Sequence, residues 1–132
     1  MADHAWLSEY QQGHYRKAVE LLQPLVEVGD AYCLLSLGTM YLYGMHHFDS
    51  EAEFVHFMKS TPSEIQREFW ASNEEFVLRG VQLLAKASEM GSWVASENLA
   101  TYYTLTLNGM TEQERVAKAG HYYELVEKQR RD

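Results

Sequence analysis

One cysteine and two prolines among 132 residues, and no long apolar run, already exclude a good deal. The lone thiol, Cys33, cannot close a disulfide within the chain, so nothing in the sequence demands an oxidising compartment. No stretch approaches the ~18 consecutive apolar residues that a membrane span requires. The opening residues carry Asp3, His4 and Glu9 but no basic segment followed by an apolar one, so no secretory leader is expected. Cytoplasmic localisation and no membrane association follow as expectations. Basic charge is also short. Lys and Arg number 11 against 19 Asp and Glu, and the net charge of −8 would repel a phosphate backbone. The only tight basic group is Arg130-Arg131 after Lys128, so nucleic acid is excluded as the expected partner. A basic protein fits better, because opposite potentials raise encounter rates. Acidity serving solubility alone stands beside that reading.

What is present points to helices. At 46% hydrophobic and 23% charged, the composition is that of a folded chain, and its length suits a single domain. Glycine is scarce, β-branched residues are sparse beside Leu, Ala, Glu and Met, and no segment sustains period-two alternation. The fold class is all-α. Residues 2–12 read as a first helix with Ala5, Trp6 and Tyr10 as its apolar positions, broken by Gly13. Residues 15–28 place Tyr15, Ala18, Val19, Leu22, Leu25 and Val26 at helical spacing, with a kink expected from Pro24. Gly29 is expected to end that helix with a positive φ, Asp30 to cap a helix over 31–43, and Gly44 to close it.

Residues 45–73 have no counterpart elsewhere and read as an insertion. Asp49 or Ser50 can cap a short helix holding Phe54, Val55, Phe57 and Met58. Thr61-Pro62-Ser63-Glu64 is a second start signal, for a helix carrying Ile65, Phe69 and Trp70. Ser72-Asn73-Glu74-Glu75 reads as a capping box opening a helix over 74–90, stopped by Gly91. Ser92 caps the next, over 93–107, and Asn108-Gly109 makes a turn. Thr111 through Glu114 opens a last helix over 112–129, with Val116, Ala119, Tyr122, Tyr123, Leu125 and Val126 turned inward.

An offset of 62 (91 − 29) lays Gly29 on Gly91 and keeps residue size along the following helix. Cys33 meets Ala95, Leu37 meets Leu99, Gly38 meets Ala100, Met40 meets Tyr102 and Tyr41 meets Tyr103; upstream, Ala18 meets Gly80 and Leu21-Leu22 meets Leu83-Leu84. This pattern predicts an internal repeat of a helix pair. The residues Gly13, Tyr15, Ala18, Leu21 to Leu25, Gly29-Asp30, Leu37-Gly38, Met40-Tyr41 and Gly44 resemble the Sel-one-like repeat family, related to tetratricopeptide repeats. The second copy departs from it at Ala100, where the family has glycine. The resemblance implies a short α-solenoid of stacked antiparallel helix pairs that holds another protein and performs no chemistry. It divides the single domain 1–132 into a first repeat region (1–44), a helical insertion (45–73), a second repeat (74–110) and a C-terminal capping helix (111–132).

One helix pair cannot bury both faces alone, so neighbours must stack on it. The face left over on the two matched helices is then a groove, with Tyr32, Leu35, Ser36, Thr39 and Tyr43 on one and Val94, Glu97, Asn98, Thr101 and Leu105 on the other. Exposed large side chains there mark an interface, unless the insertion folds over them. Asp49, Glu51 and Glu53, with Glu64 and Glu68, give the insertion an acidic character suited to a basic partner, or simply a solvated face.

Chemistry finds little footing. His46-His47 with Asp49, Glu51 and Glu53 lacks a third histidine or a cysteine at ligand spacing, so a solvated turn is expected and no metal or other cofactor. Cys33 occupies a small-residue position and should be buried and inert. No nucleophile elbow, phosphate loop or dinucleotide fingerprint occurs, and no enzyme activity is expected. Short acidic bacterial chains resembling this family include immunity proteins. The resemblance therefore implies an inhibitor that neutralises one cognate toxin domain. The net charge points to a basic one, and a monomer is favoured over an oligomer. The leftover helix face and the acidic insertion make Tyr32, Leu35, Thr39, Tyr43, Asp49, Glu51, Glu53, Glu97, Asn98 and Thr101 the expected contacts. A general adaptor in a signalling or secretion complex is the alternative.

Overall fold

The computed structural model describes residues 5–105 and 109–131, and every regular element among them is helical. The elements are α1 (Ala5–Gln11), α2 (Tyr15–Leu22), α3 (Ala31–Leu42), α4 (Glu51–Ser60), α5 (Ser63–Ser72), α6 (Glu74–Glu89), α7 (Trp93–Leu105) and α8 (Glu112–Arg131). Residues 2–4 and 106–108, assigned above to helix ends and a turn, lie outside the described residues.

Four N-caps are set by local chemistry. Asp30 accepts from the Cys33 amide at 3.0 Å, Ser50 from Glu53 at 3.2 Å and Ser92 from Ala95 at 3.2 Å. Thr111 and Glu114 form a reciprocal box, with the Glu114 amide donating to Thr111 Oγ1 at 3.1 Å. Gly44 follows α3 at φ +71°, where a side chain would strain the backbone and press on the Phe69 ring.

Several expectations need correcting. Pro24 does not kink a long helix: α2 stops at Leu22, and Gln23–Leu25 continues as a 3-10 turn. Proline lacks the amide and its ring crowds the preceding turn, so tighter winding replaces the α ladder. Gly29 does not have a positive φ. A side chain there would come within 2.5 Å of the Leu25 carbonyl oxygen and 2.9 Å of Cys33 Cβ, so its smallness serves the tight passage from the 3-10 turn into α3. Thr61 makes no cap, and Pro62 occupies the N-cap of α5 in extended geometry. Ser72 does not cap α6 either; its hydroxyl turns back to the Phe69 carbonyl at 2.7 Å. On α8, Val116 and Tyr123 are exposed rather than inward, while Ala119 is buried.

The core is two buried clusters sharing α3. Cys33, Leu37, Met40 and Tyr41 face Trp6, Tyr15, Ala18, Val19 and Leu22. Leu34 and Leu42 face Leu84, Ala87, Leu99 and Tyr103. Val26 and Leu83 border both, which joins them. A helix buried on two sides is apolar nearly all round, as α3 is. The chief packing contacts join α3 to α6, α7 to α8, α1 to α2 and α6 to α7. Where α3 crosses α6, Gly38 and Gly80 meet: a Cβ on Gly80 would lie 2.7 Å from the Gly38 carbonyl oxygen. Positions 62 apart share their burial at Cys33 and Ala95, Leu37 and Leu99, and Tyr41 and Tyr103, all buried. Ala18 and Gly80, like Leu22 and Leu84, are buried too.

Polar pins fix the outer helices. Arg115 of α8 donates to the Tyr103 and Thr104 carbonyls at 3.1 and 2.7 Å, satisfying the end of α7. Between α6, α7 and α8 the Ser88 and Ser96 hydroxyls lie 2.7 Å apart, Ser96 donates to Gln129 Oε1, and Gln129 Nε2 donates to the Ser88 carbonyl.

Candidate functional site

The insertion holds no buried residue in α4 or α5 and attaches through aromatic rings. Phe57 packs on Phe69 at 4.8 Å, Phe48 on Phe54, Phe57 and Phe69 at 5.3 to 5.6 Å, and Phe69 on His47 at 5.2 Å. His46 and His47 are therefore not a solvated turn. They form a half-buried 3-10 turn, Met45–His47, with His46 against Phe76 at 4.3 Å and Tyr41 at 5.0 Å. Neither ring nitrogen of His46 makes a hydrogen bond. Burial, with the neighbouring His47 and Arg16 adding to it, pushes its pKa down to about 4, against a weaker opposing pull from the Met40 carbonyl.

Beside it Asn73, fully buried, ties three elements together. Its amide donates to the Tyr41 carbonyl at 3.1 Å, and its oxygen accepts from His47 Nε2 at 2.8 Å. Sequence reasoning missed Asn73 because the Ser-Asn-Glu-Glu string reads equally well as an exposed helix start. Cys33 is buried, and burial, reinforced by Asp30, raises its thiol pKa, which disfavours the reactive thiolate. Among the described residues no group of three His, Cys, Asp or Glu side chains could hold a metal ion.

The acidic residues of the insertion lie apart from the matched helices' outer face. Asp49 pairs with Arg16 at 3.2 Å, Glu53 accepts from the Asp49 amide at 3.2 Å, and the Glu51 amide donates to the Gly13 carbonyl at 2.8 Å. They occupy a helix N-terminus, where negative charge is favoured by the backbone dipole.

The seam between α3 and α7 carries two openings. The larger, of about 420 Å³, is lined by Leu42 of α3 and Tyr43 just after it, and by Thr101, Tyr102 and Leu105 of α7. Trp70 and Ala71 of the insertion and Glu74 and Val77 of α6 wall its far side. The smaller, of about 200 Å³, is lined by Tyr32, Leu35, Ser36 and Thr39 of α3, by Val94 and Asn98 of α7, and by Tyr10 of α1. Tyr32 leans edge-on against Trp6 at 5.3 Å yet remains 48% exposed; Tyr43 is 40% and Leu105 79% exposed. Leu35, Thr39 and Asn98 are half-buried on the floor, and Thr101 and Glu97 are exposed. The insertion thus borders the seam at one end and does not roof it. Of the site residues named from sequence, the structure brings Tyr32, Leu35, Thr39, Tyr43, Asn98 and Thr101 to this seam. Asp49, Glu51 and Glu53 line neither opening. Trp70, Tyr102 and Glu74 join the seam unforeseen, since no pattern in the sequence says which way the insertion returns.

Among the described residues no helix is long and apolar enough to cross a membrane. No family model matches the chain, and neither a curated protein nor a solved structure matches it significantly.

Proposed function

We propose that this chain is a protein-binding module of the helical-repeat type, a short α-solenoid in which α2–α3 and α6–α7 are related pairs and α8 caps the stack. Shared burial at Cys33 and Ala95, Leu37 and Leu99, Tyr41 and Tyr103, and Leu22 and Leu84 supports that reading, although Tyr102 is half-buried where its match Met40 is buried. The extensive packing of α3 on α6 and of α7 on α8 supports it too. The observation that carries the binding role is the α3–α7 seam, an apolar face with Tyr32, Tyr43 and Leu105 standing in solvent. Large aromatic side chains on an exposed apolar strip are the residue types that anchor protein interfaces. A net charge of −8 favours a basic partner and speeds encounter with it. Within this role, neutralisation of one cognate toxin domain by direct binding is the finer reading, for a monomer acting in the cytoplasm without a cofactor.

The test is to capture the partner on this chain and measure affinity after Tyr32→Ala and Tyr43→Ala. Each central anchor should contribute more than ~2 kcal/mol, roughly a thirtyfold loss of affinity. Recovery of nucleic acid in place of a polypeptide overturns the reading. Co-expression with a toxic domain encoded beside this chain should relieve its toxicity; persistence of full toxicity removes the inhibitor role and leaves the adaptor.

A further inference from the structure

The two openings on the α3–α7 seam are in register. Each is bordered by α3 on one side and α7 on the other, in the same sequence order, so the two helices run in the same direction along the seam. From Leu35 to Leu42 on α3, and from Asn98 to Leu105 on α7, the step between openings is seven residues (42 − 35 and 105 − 98). At the rise of an α-helix that is about 10 Å, or two turns. Thr39 lines the smaller opening and Thr101 the larger, short side chains that let another backbone approach. No Lys or Arg lines either opening; Glu74 stands in the larger, and Glu97 is exposed on α7 between Val94 and Asn98.

We propose that the seam receives one amphipathic helix of the partner, which inserts two apolar side chains seven residues apart into the two openings and sets Lys or Arg beside them toward Glu74 and Glu97. This rests on the protein-binding reading and adds the shape of the ligand to it. Residues seven apart on a helix share a face, and helices that dock in grooves are read through anchors at that spacing. An extended strand would pass the same distance in about three residues, and its alternating side chains would not both face the floor. Charge complementarity selects the occupant: a helix with acidic flanks would meet Glu74 and Glu97 with like charge.

The probe is a fluorescently labelled helical peptide with leucines seven apart on a Lys- and Ala-rich background. Its comparators have the leucines five apart, or Glu in place of Lys. Binding is read by anisotropy to the full chain at low and high salt. The seven-spaced basic peptide should bind at least about tenfold tighter than either comparator and weaken with salt. Ala71→Trp, which fills the larger opening from an exposed position, and Asn98→Trp, which fills the smaller, should each weaken it at least about fivefold with unchanged circular dichroism. Equal affinity for the two spacings, binding undiminished in both filled variants, or no binding at all overturns the proposal. So does self-association of the chain that Ala71→Trp abolishes, which would give the seam to a second copy. The broader reading fails separately: it survives any of these results if a captured protein still loses affinity on Tyr43→Ala, and falls if none does.

Discussion

Acid should weaken this fold through His46 in a measurable and separable way. The ring sits between Tyr41 and Phe76, its nitrogens unbonded, and its pKa lies at about 4 rather than 6.5. The folded value is below the unfolded one, so as pH falls the unfolded chain takes up the proton first. The stability due to neutral His46 is therefore complete above pH 6.5 and drains away as pH approaches 4. A shift of this size corresponds to at most about 3.4 kcal/mol at 1.36 kcal/mol per unit. The side chain is only half-buried, and solvent screening brings the expected contribution to about 1–2 kcal/mol. The assay is urea denaturation at a series of pH values, for the natural chain and for His46→Phe, which keeps a ring in the aromatic cluster and removes the titration. Carboxylates titrate in both chains and cancel in the difference. The natural chain should lose about 1–2 kcal/mol more than the variant between neutral pH and pH 4, with the divergence beginning near the ordinary histidine pKa. Parallel stability curves would refute the reasoning, because the buried ring would then contribute nothing through its charge.

Two further predictions concern the framework. Gly80→Ala should destabilise by about 1–3 kcal/mol in thermal or urea melts, since its Cβ meets the Gly38 carbonyl at 2.7 Å, whereas Gly120→Ala, with open space on α8, should stabilise by up to about 1 kcal/mol. A similar response at both sites would mean that the α3–α6 crossing is not tight. Asn73→Leu should cost about 1–3 kcal/mol by removing the acceptor of His47 Nε2 and the 3.1 Å bond to the Tyr41 carbonyl, which keeps the Gly44 amide at 3.3 Å, and it should raise hydrogen exchange in α5.

The legible parts of this molecule are those governed by a few adjacent residues. Asp30, Ser50, Ser92 and Thr111 cap helices as their local strings dictate, because a cap involves only the next three residues. The small positions Gly38 and Gly80 stood out in the repeat pattern, yet nothing in the string said that they face each other. Asn73 was illegible for a related reason. Its partners Tyr41 and His47 lie 32 and 26 residues upstream, and a buried amide has the same spelling as an exposed cap. His46 and His47 mislead in the same way: a pair of histidines followed by acids looks solvated until Phe69 and Phe76 close over it. The seam shows both cases. Its α3 and α7 walls follow from helical periodicity, and its third wall, at Trp70 and Glu74, depends on how a 29-residue insertion (45–73) turns back on itself.

That insertion is buried only at its ends, at Met45 and Asn73, while α4 and α5 between them hold no buried residue. The Glu51 amide donates to the Gly13 carbonyl, Asn73 donates to the Tyr41 carbonyl, and ring edges span the distance between. Its outward positions are thus free to drift under selection without disturbing the two clusters that keep the chain folded. Because the same segment supplies Trp70 and Ala71 to the seam, the seam's far wall can be rewritten at exposed positions of α5 while Phe69, packed on His47, Phe48 and Phe57, keeps the helix in place.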